Sequence, residues 1–246
     1  MDKRITMNEI FAIIPARSGS KGVKDKNIKN LHGHSLLEWS INAAINSKLI
    51  DRVFISTDSE EYARIGIECG AEAHFIRPDN ISGDTSSDFD FVIHAINEFK
   101  KLNVCPEYIV HIRPTTPIRD PGIIDEAISL FQENQEFHSL RSVHLMSESS
   151  YKTLEINDGT LTPLSLFNDE QLDANAPRQS FPDTYQANGY VDVLSTKFIL
   201  QNNEIHGKKI LPFITKPAFE LDSIDDFDYL EYLASNSKGI MNKLFK

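Results

Sequence analysis

Between Ala16 and Lys29 the chain carries Arg17, Lys21, Lys24, Lys26 and Lys29 against a single carboxylate, Asp25, and sets Gly19 and Gly22 among them. Glycines let successive backbone N–H groups converge on one anion while Arg and Lys offset its charge, so this stretch suits a phosphate cradle. The spacing is neither G-x-x-x-x-G-K-[ST] nor G-x-G-x-x-G. Other constellations carry less. The histidines include no H-E-x-x-H, and His32-Gly33-His34 falls in a turn. No G-x-S-x-G elbow is present. Asp88-Phe89-Asp90 spells D-x-D, but it opens an amphipathic segment where acids favour the helix dipole and Phe89 faces the core.

The cradle follows Ile10-Phe11-Ala12-Ile13-Ile14, an unbroken apolar run of the kind buried on both faces of a sheet. Ser35 can cap a helix in which Leu36, Leu37, Ile41, Ala44 and Ile45 recur at helical spacing as far as Lys48. Arg52–Ser56 reads as a strand, Glu60–Cys69 as a helix closed by Gly70, and Ala73–Ile76 as a short third strand. Ser87–Lys101 predicts a helix with Phe89, Val92, Ile93, Ile96 and Phe99 on one face. Tyr108–Ile112 is the next strand, Pro121 opens a helix to Glu133, and Ser139–Leu145 returns as a strand. Alternation of this kind predicts an α/β fold with a mostly parallel, doubly wound sheet and ligands beyond the carboxyl ends of its strands. From 147 to 187 the periodicity breaks into short extended pieces with turn residues, which reads as a protruding arm on a single domain spanning 1–246. Gly189–Leu194, Ile210–Ile214 and a last helix from Ile224 to Ala234 restore order.

The chain has 246 residues and a formal charge of −11, which argues against a nucleic-acid footprint and confines the basic region to that one loop. Cys69 and Cys105, with no C-x-x-C, point to a reducing interior, and no stretch approaches eighteen apolar residues. The expectation is a cytoplasmic protein that neither crosses a membrane nor binds nucleic acid.

Pro15-Ala16-Arg17-Ser18-Gly19-Ser20-Lys21-Gly22, followed by Lys26-Asn27-Ile28, resembles the signature of the sialic-acid-type cytidylyltransferases, which make CMP-activated nine-carbon α-keto sugar acids. The resemblance runs on in order through Ile55-Ser56-Thr57-Asp58, Arg77-Pro78, Ser82-Gly83-Asp84-Thr85, Pro114-Thr115-Thr116-Pro117-Ile118-Arg119, Pro177-Arg178-Gln179, Asn188-Gly189 and Leu221-Asp222. It implies a Rossmann-like fold of the nucleotide-diphosphosugar transferase type, CTP as donor, an α-keto sugar acid as acceptor, Mg²⁺ as cofactor and a homodimer whose arm reaches the partner's site.

The resemblance assigns Arg17 and Lys26 to the triphosphate, with Ser20 and Lys21 in the same loop, and Ala16, Asn27 and Arg77 around base and ribose. For Mg²⁺, which takes hard oxygens and one or two protein carboxylates, it points to Asp222 and Glu220. Spaced two apart, they share a face if the segment is extended. The family pattern has Asp at both positions, so Glu220 departs by one methylene. Arg17, Lys26 and Asp222 are the expected catalytic set, and no residue stands out as general base. For the acceptor's carboxylate Arg178 is the natural bidentate partner, with Lys152 a second, and Thr115 and Thr116 offer hydroxyls at the switch point.

Three departures fall in the sugar pocket. Arg113 stands where the family usually has Gln, Gln186-Ala187 where it has Arg-Pro, and Asp192 where it has an aromatic. The charges are rearranged rather than deleted, which points to a sialic-acid relative as acceptor, a diamino acid such as legionaminic acid leading. Alternatives on the same fold are a cytidylyltransferase for eight-carbon keto acids, a sugar-1-phosphate nucleotidyltransferase, or a non-catalytic nucleotide-binding module.

Overall fold

A computed structural model describes residues 9–20, 22–164 and 175–245. In chain order the elements are β1 (Ile10–Pro15), β2 (Asn30–Leu31), β3 (His34–Ser35), α1 (Leu36–Ile45), β4 (Arg52–Ser56), α2 (Glu60–Glu68), α3 (Asp88–Lys101), β5 (Tyr108–His111), α4 (Pro121–Glu133), β6 (Ser139–Leu145), β7 (Leu154–Asn157), β8 (Thr160–Pro163), β9 (Tyr185–Ser195), α5 (Thr196–Asn202), β10 (Ile210–Ile214), α6 (Ile224–Asn236) and α7 (Lys238–Leu244). The central sheet runs β10-β6-β9-β5-β1-β4, with β9 alone antiparallel to its neighbours.

Both faces of this sheet are covered, and β1 shows how the sequence dictates it. Ile10, Ala12 and Ile14 pack into the core layer shared with α1, α4 and α6, while Phe11 and Ile13 pack into the opposite layer with α3 and α5. A strand whose alternate residues must be apolar on both sides reads as a continuous apolar run. The helix starts follow their capping residues: Ser35, Ser59, Ser87 and Ser223 each accept a hydrogen bond from a first-turn N–H, and Ser87–Asp90 and Ser223–Asp226 close capping boxes. No helix among the described residues is long and apolar enough to cross a membrane.

Some expectations need correction. No strand forms at Ala73–Ile76; Glu72 alone bridges Phe54, and the chain then turns so that Arg77 N–H donates to Thr57 O at 2.7 Å, drawing the segment toward the loops above the sheet. α1 stops at Ile45 rather than Lys48 because the Asp125 carboxylate accepts from Ser47 Oγ (2.5 Å) and Lys48 N (2.9 Å), replacing the next helical turn. On α3 the buried face is centred on Phe91, Val92, Ala95, Ile96 and Phe99, leaving Phe89 and Ile93 at its margin. β9 starts at Tyr185, so the final residues of the expected arm already pair with His144 and Leu145 of β6. α7 was not anticipated; Phe245 after it stacks on His34 at 3.6 Å. Within the arm β7 and β8 form a hairpin, and Leu166 and Phe167 lie outside the described residues.

Arg119 is fully buried and joins the loop after β5 to β9 and α1. Its Nε donates to Tyr190 O (2.6 Å), one terminal nitrogen to Ser40 Oγ (3.2 Å), and the other to Arg113 O (2.7 Å) and Gly189 O (2.8 Å). Burial brings its pKa down to about 9, still charged at neutrality. An ammonium cannot span four acceptors set around a planar fork. Arg119→Lys should therefore cost roughly 2–4 kcal/mol, read as a lower urea midpoint, whereas a loss under 0.5 kcal/mol would mean that the loop is held by other contacts.

Candidate functional site

Parallel strands β1, β4 and β5 deliver their following loops to one edge of the sheet, and there a cleft of about 480 Å³ opens. Of the residues singled out from sequence, Arg17, Ser20, Lys26, Asn27, Arg77, Arg113, Thr115, Glu220 and Asp222 line it. Ala16 is buried with its N–H on Ser56 O (2.9 Å), and Thr116 and Asp192 are buried outside the lining. Gln186 lies exposed on β9, pairing with His144. In the arm, Lys152 Nζ donates to Ala176 O (3.2 Å) and Arg178 to Met146 O (2.8 Å), and neither lines the cleft. Lys21 lies outside the described residues.

The basic loop is pinned at several points. Asp58, at the exit of β4, accepts from both Ser18 N (2.7 Å) and Ser18 Oγ (2.8 Å). Asn27 Nδ2 donates to Arg17 O (3.0 Å), and Lys26 Nζ crosses to Leu221 O (2.8 Å) and Asp222 Oδ1 (3.2 Å). Gly22 is required where it sits, because a Cβ there would lie 2.8 Å from the Asp222 carbonyl oxygen. Arg77 is almost fully buried, donating to Ser56 O (2.5 Å) and Ser56 Oγ (3.2 Å), with its guanidinium 5.0 Å from the centre of the Phe91 ring. Burial lowers its pKa to about 10 against the pull of Asp58, so it keeps its charge.

Glu220 and Asp222 flank the fully buried Leu221, whose N–H donates to Thr115 O at 2.8 Å. This alternation sends both carboxylates into the cleft, as an extended segment requires. Thr115 Oγ1 donates to Glu220 Oε1 (2.6 Å), while Asp222 is largely exposed. Among the described residues no group of three or more His, Cys, Asp or Glu is disposed to hold a metal. Two hard carboxylates fit a cation whose shell is completed by phosphate oxygens and water. Asp226, not Asp222, caps α6.

Sequence reasoning missed four members of the site. Asp84 pairs with Arg17 (2.7 Å) and Asp88 with Arg113 (2.6 Å), so two cations of the cleft carry carboxylate partners from the start of α3 and the loop before it. Their signal was present in Ser82-Gly83-Asp84-Thr85 and in the helix-opening Asp88. Arg119, at the end of Pro114-Thr115-Thr116-Pro117-Ile118-Arg119, does not line the cleft but holds Arg113 O from beneath it. His111 lines the cleft from the end of β5, edge-on to Phe91 at 5.2 Å. Strand parity would have found it: Ile109 faces the α3 layer, and residue 111 shares that face.

A cytidylyltransferase family model matches residues 11–213. The chain is 32% identical to post-translational flagellin modification protein B of Campylobacter coli, over 92% of this chain and 95% of that one. It is 30% identical to CMP-N,N'-diacetyllegionaminic acid synthase of Campylobacter jejuni, over 93% and 96%. Among solved structures, CMP:2-keto-3-deoxy-manno-octonic acid synthetase complexed with CTP superposes with a TM-score of 0.71 at 10% identity, covering 93% of this chain and 99% of that one.

Asp192 sits behind the cleft wall, 3% exposed, and burial raises its pKa to about 6 although Arg141 and Arg113 pull it down; Asp88 raises it and Arg119 lowers it. With its folded value above the unfolded one, the carboxyl stabilises the fold below pH 4 and loses that contribution as pH rises through about 6. Asp192→Asn should remove this slope. Thermal melts between pH 4.5 and 7.5 should show the mutant gaining on the wild type as pH rises; parallel curves would contradict it.

Proposed function

The chain belongs to the cytidylyltransferase family, and from that premise we propose that it transfers CMP from CTP to the anomeric hydroxyl of a nonulosonic acid. The hydroxyl oxygen bonds to the α-phosphorus in line, the bond to the bridging oxygen of the β-phosphate breaks, pyrophosphate leaves, and the hydroxyl proton passes to solvent. The observation that carries the reading is the convergence of Arg17, Lys26, Asn27 and Arg77 with Glu220 and Asp222 in one cleft, in a chain similar to a legionaminic acid synthase along nearly its whole length.

Displacement at phosphorus needs positioning and charge neutralisation above all. Arg17 and Lys26 take the β- and γ-phosphates, exchanging their carboxylate partners for phosphate oxygens. Asn27 and Arg77 hold base and ribose. Asp222, with Glu220, would hold Mg²⁺, whose chemistry is to offset charge on the phosphates and lower the pKa of a bound hydroxyl. Arg113 and Thr115 face the acceptor. Work on CTP suits the cytoplasm.

The arm supports a homodimer. Leu154, Ile156 and Leu161 on the β7–β8 hairpin are 47%, 75% and 64% exposed, apolar area that a second copy would cover. Dimerisation would carry Arg178 and Lys152 of one protomer toward the cleft of the other. Light scattering at micromolar concentration should give twice the 27.9 kDa of one chain, and a monomer would contradict this.

Pyrophosphate release from CTP, measured with a panel of nonulosonic and eight-carbon keto acids, tests the activity. Release should require a nonulosonic acid and Mg²⁺; a preference for eight-carbon acids, or no release, would overturn the reading. Arg17→Ala and Lys26→Ala should each lower kcat/KM by about one to three decades. Asp222→Asn should abolish most magnesium-dependent turnover while Glu220→Gln is milder, and an Asp222→Asn magnesium titration equal to wild type would remove the metal assignment.

A further inference from the structure

In and just behind the wall of the cleft lie most of the unsatisfied buried polar side-chain atoms among the described residues. Both ring nitrogens of His111, Arg113 Nε, Thr116 Oγ1 and Asp192 Oδ1 are buried without a hydrogen-bond partner, five of the eight such atoms among the described residues. Sheet register aligns His111 and Asp192. His111 of β5 lies directly opposite Asp192 of β9, which lies opposite Arg141 of β6, a single row across three strands. Val191 and Val193 face the α1 layer, so Asp192 between them faces the α3 side with His111, and Arg113 follows two residues on. The groups stand just beyond bonding distance: Asp192 Oδ2 is 3.8 Å from both His111 Nδ1 and Arg113, and Oδ1 is 3.7 Å from Arg141 Nε.

Buried polar atoms without partners are uncommon, and a cluster of them beside a cleft calls for an explanation. We propose that His111 and Arg113, positioned by Asp192, recognise an acylamino substituent of the acceptor, its carbonyl taken by Arg113 and its N–H by the acceptor nitrogen of the His111 ring. The inference rests on the nonulosonic reading above. The orphaned set holds donors and acceptors together. Arg113 Nε–H can only donate and the ionised Asp192 can only accept. His111 does one of each, because burial beside Arg113 keeps its ring neutral. A carboxylate would satisfy the donors but oppose Asp192, and a hydroxyl is too small to serve both sides of the row. An amide offers both functions a bond apart. His111 and Arg113 line the cleft and make the contact; Asp192, behind them, is a positioning residue for both.

The probes are N,N′-diacetyllegionaminic acid and two analogues, each with one acylamino group replaced by hydroxyl. Wild type should lose at least tenfold in kcat/KM with one analogue and little with the other. His111→Leu, of similar bulk, and Asp192→Asn, an isostere, should each bring the parent acid and that analogue to within threefold of one another, mainly through KM of the acid, with calorimetric CTP binding as the check that each variant is folded. Equal use of all three acids by wild type overturns the inference and leaves the cytidylyltransferase reading intact. So does a loss in the variants that falls on kcat by the same factor for every acid, since that marks His111 as a proton acceptor. Absence of turnover with any nonulosonic acid in wild type removes both.

Discussion

One buried guanidinium holds the rest of the site in place. Arg119 takes its carbonyl acceptors from the loop after β5 and from β9, where an antiparallel strand interrupts an otherwise parallel sheet. From that anchor a relay of backbone contacts runs outward. Arg113 O is fixed by Arg119, Thr115 O accepts from Leu221 N, Leu221 O accepts from Lys26, Asn27 holds Arg17 O, and Asp58 holds Ser18. Each link satisfies a group that a buried loop would otherwise leave unpaired, so the geometry of the anion loop is set from the centre of the sheet.

Charge in the cleft follows from this arrangement. An acidic chain keeps a few cations in one place and supplies three of them with a carboxylate: Asp84 for Arg17, Asp88 for Arg113, Asp222 for Lys26. All three pairs are partly open to solvent, where an ion pair contributes little to stability. Their effect is local: each carboxylate balances its cation at the cleft.

Much of the fold was legible because the strands are buried on both sides and the helices are capped by serines. Ile10–Ile14, Arg52–Ser56, Ser139–Leu145 and Pro121–Glu133 follow directly from apolar runs, Pro and capping residues. Where reading failed, a distant partner decided: Asp125 ended α1, Arg77 pulled Ala73–Ile76 off the sheet edge, and Phe245 needed the ring of His34. The anion loop was visible in composition because its chemistry is local. The row His111–Asp192–Arg141 was not, since it exists only through pairing of three strands far apart in sequence. Asp192 alone betrayed it, as a carboxylate in a strand whose neighbours are valines.

The contact between Lys26 and Leu221 spans 195 positions, and the Gly22 backbone rests on Asp222. Such a contact has a high loop-closure cost that no local propensity repays, so it belongs late in folding. During synthesis β1, β4 and β5 can pair once the first half of the chain has emerged, but the loop above them gains its Lys26 and Gly22 anchors only when the segment before α6 leaves the ribosome. The nascent chain is thus nearly a complete α/β body before its anion loop is held at both ends, and the full cleft is assembled late in synthesis.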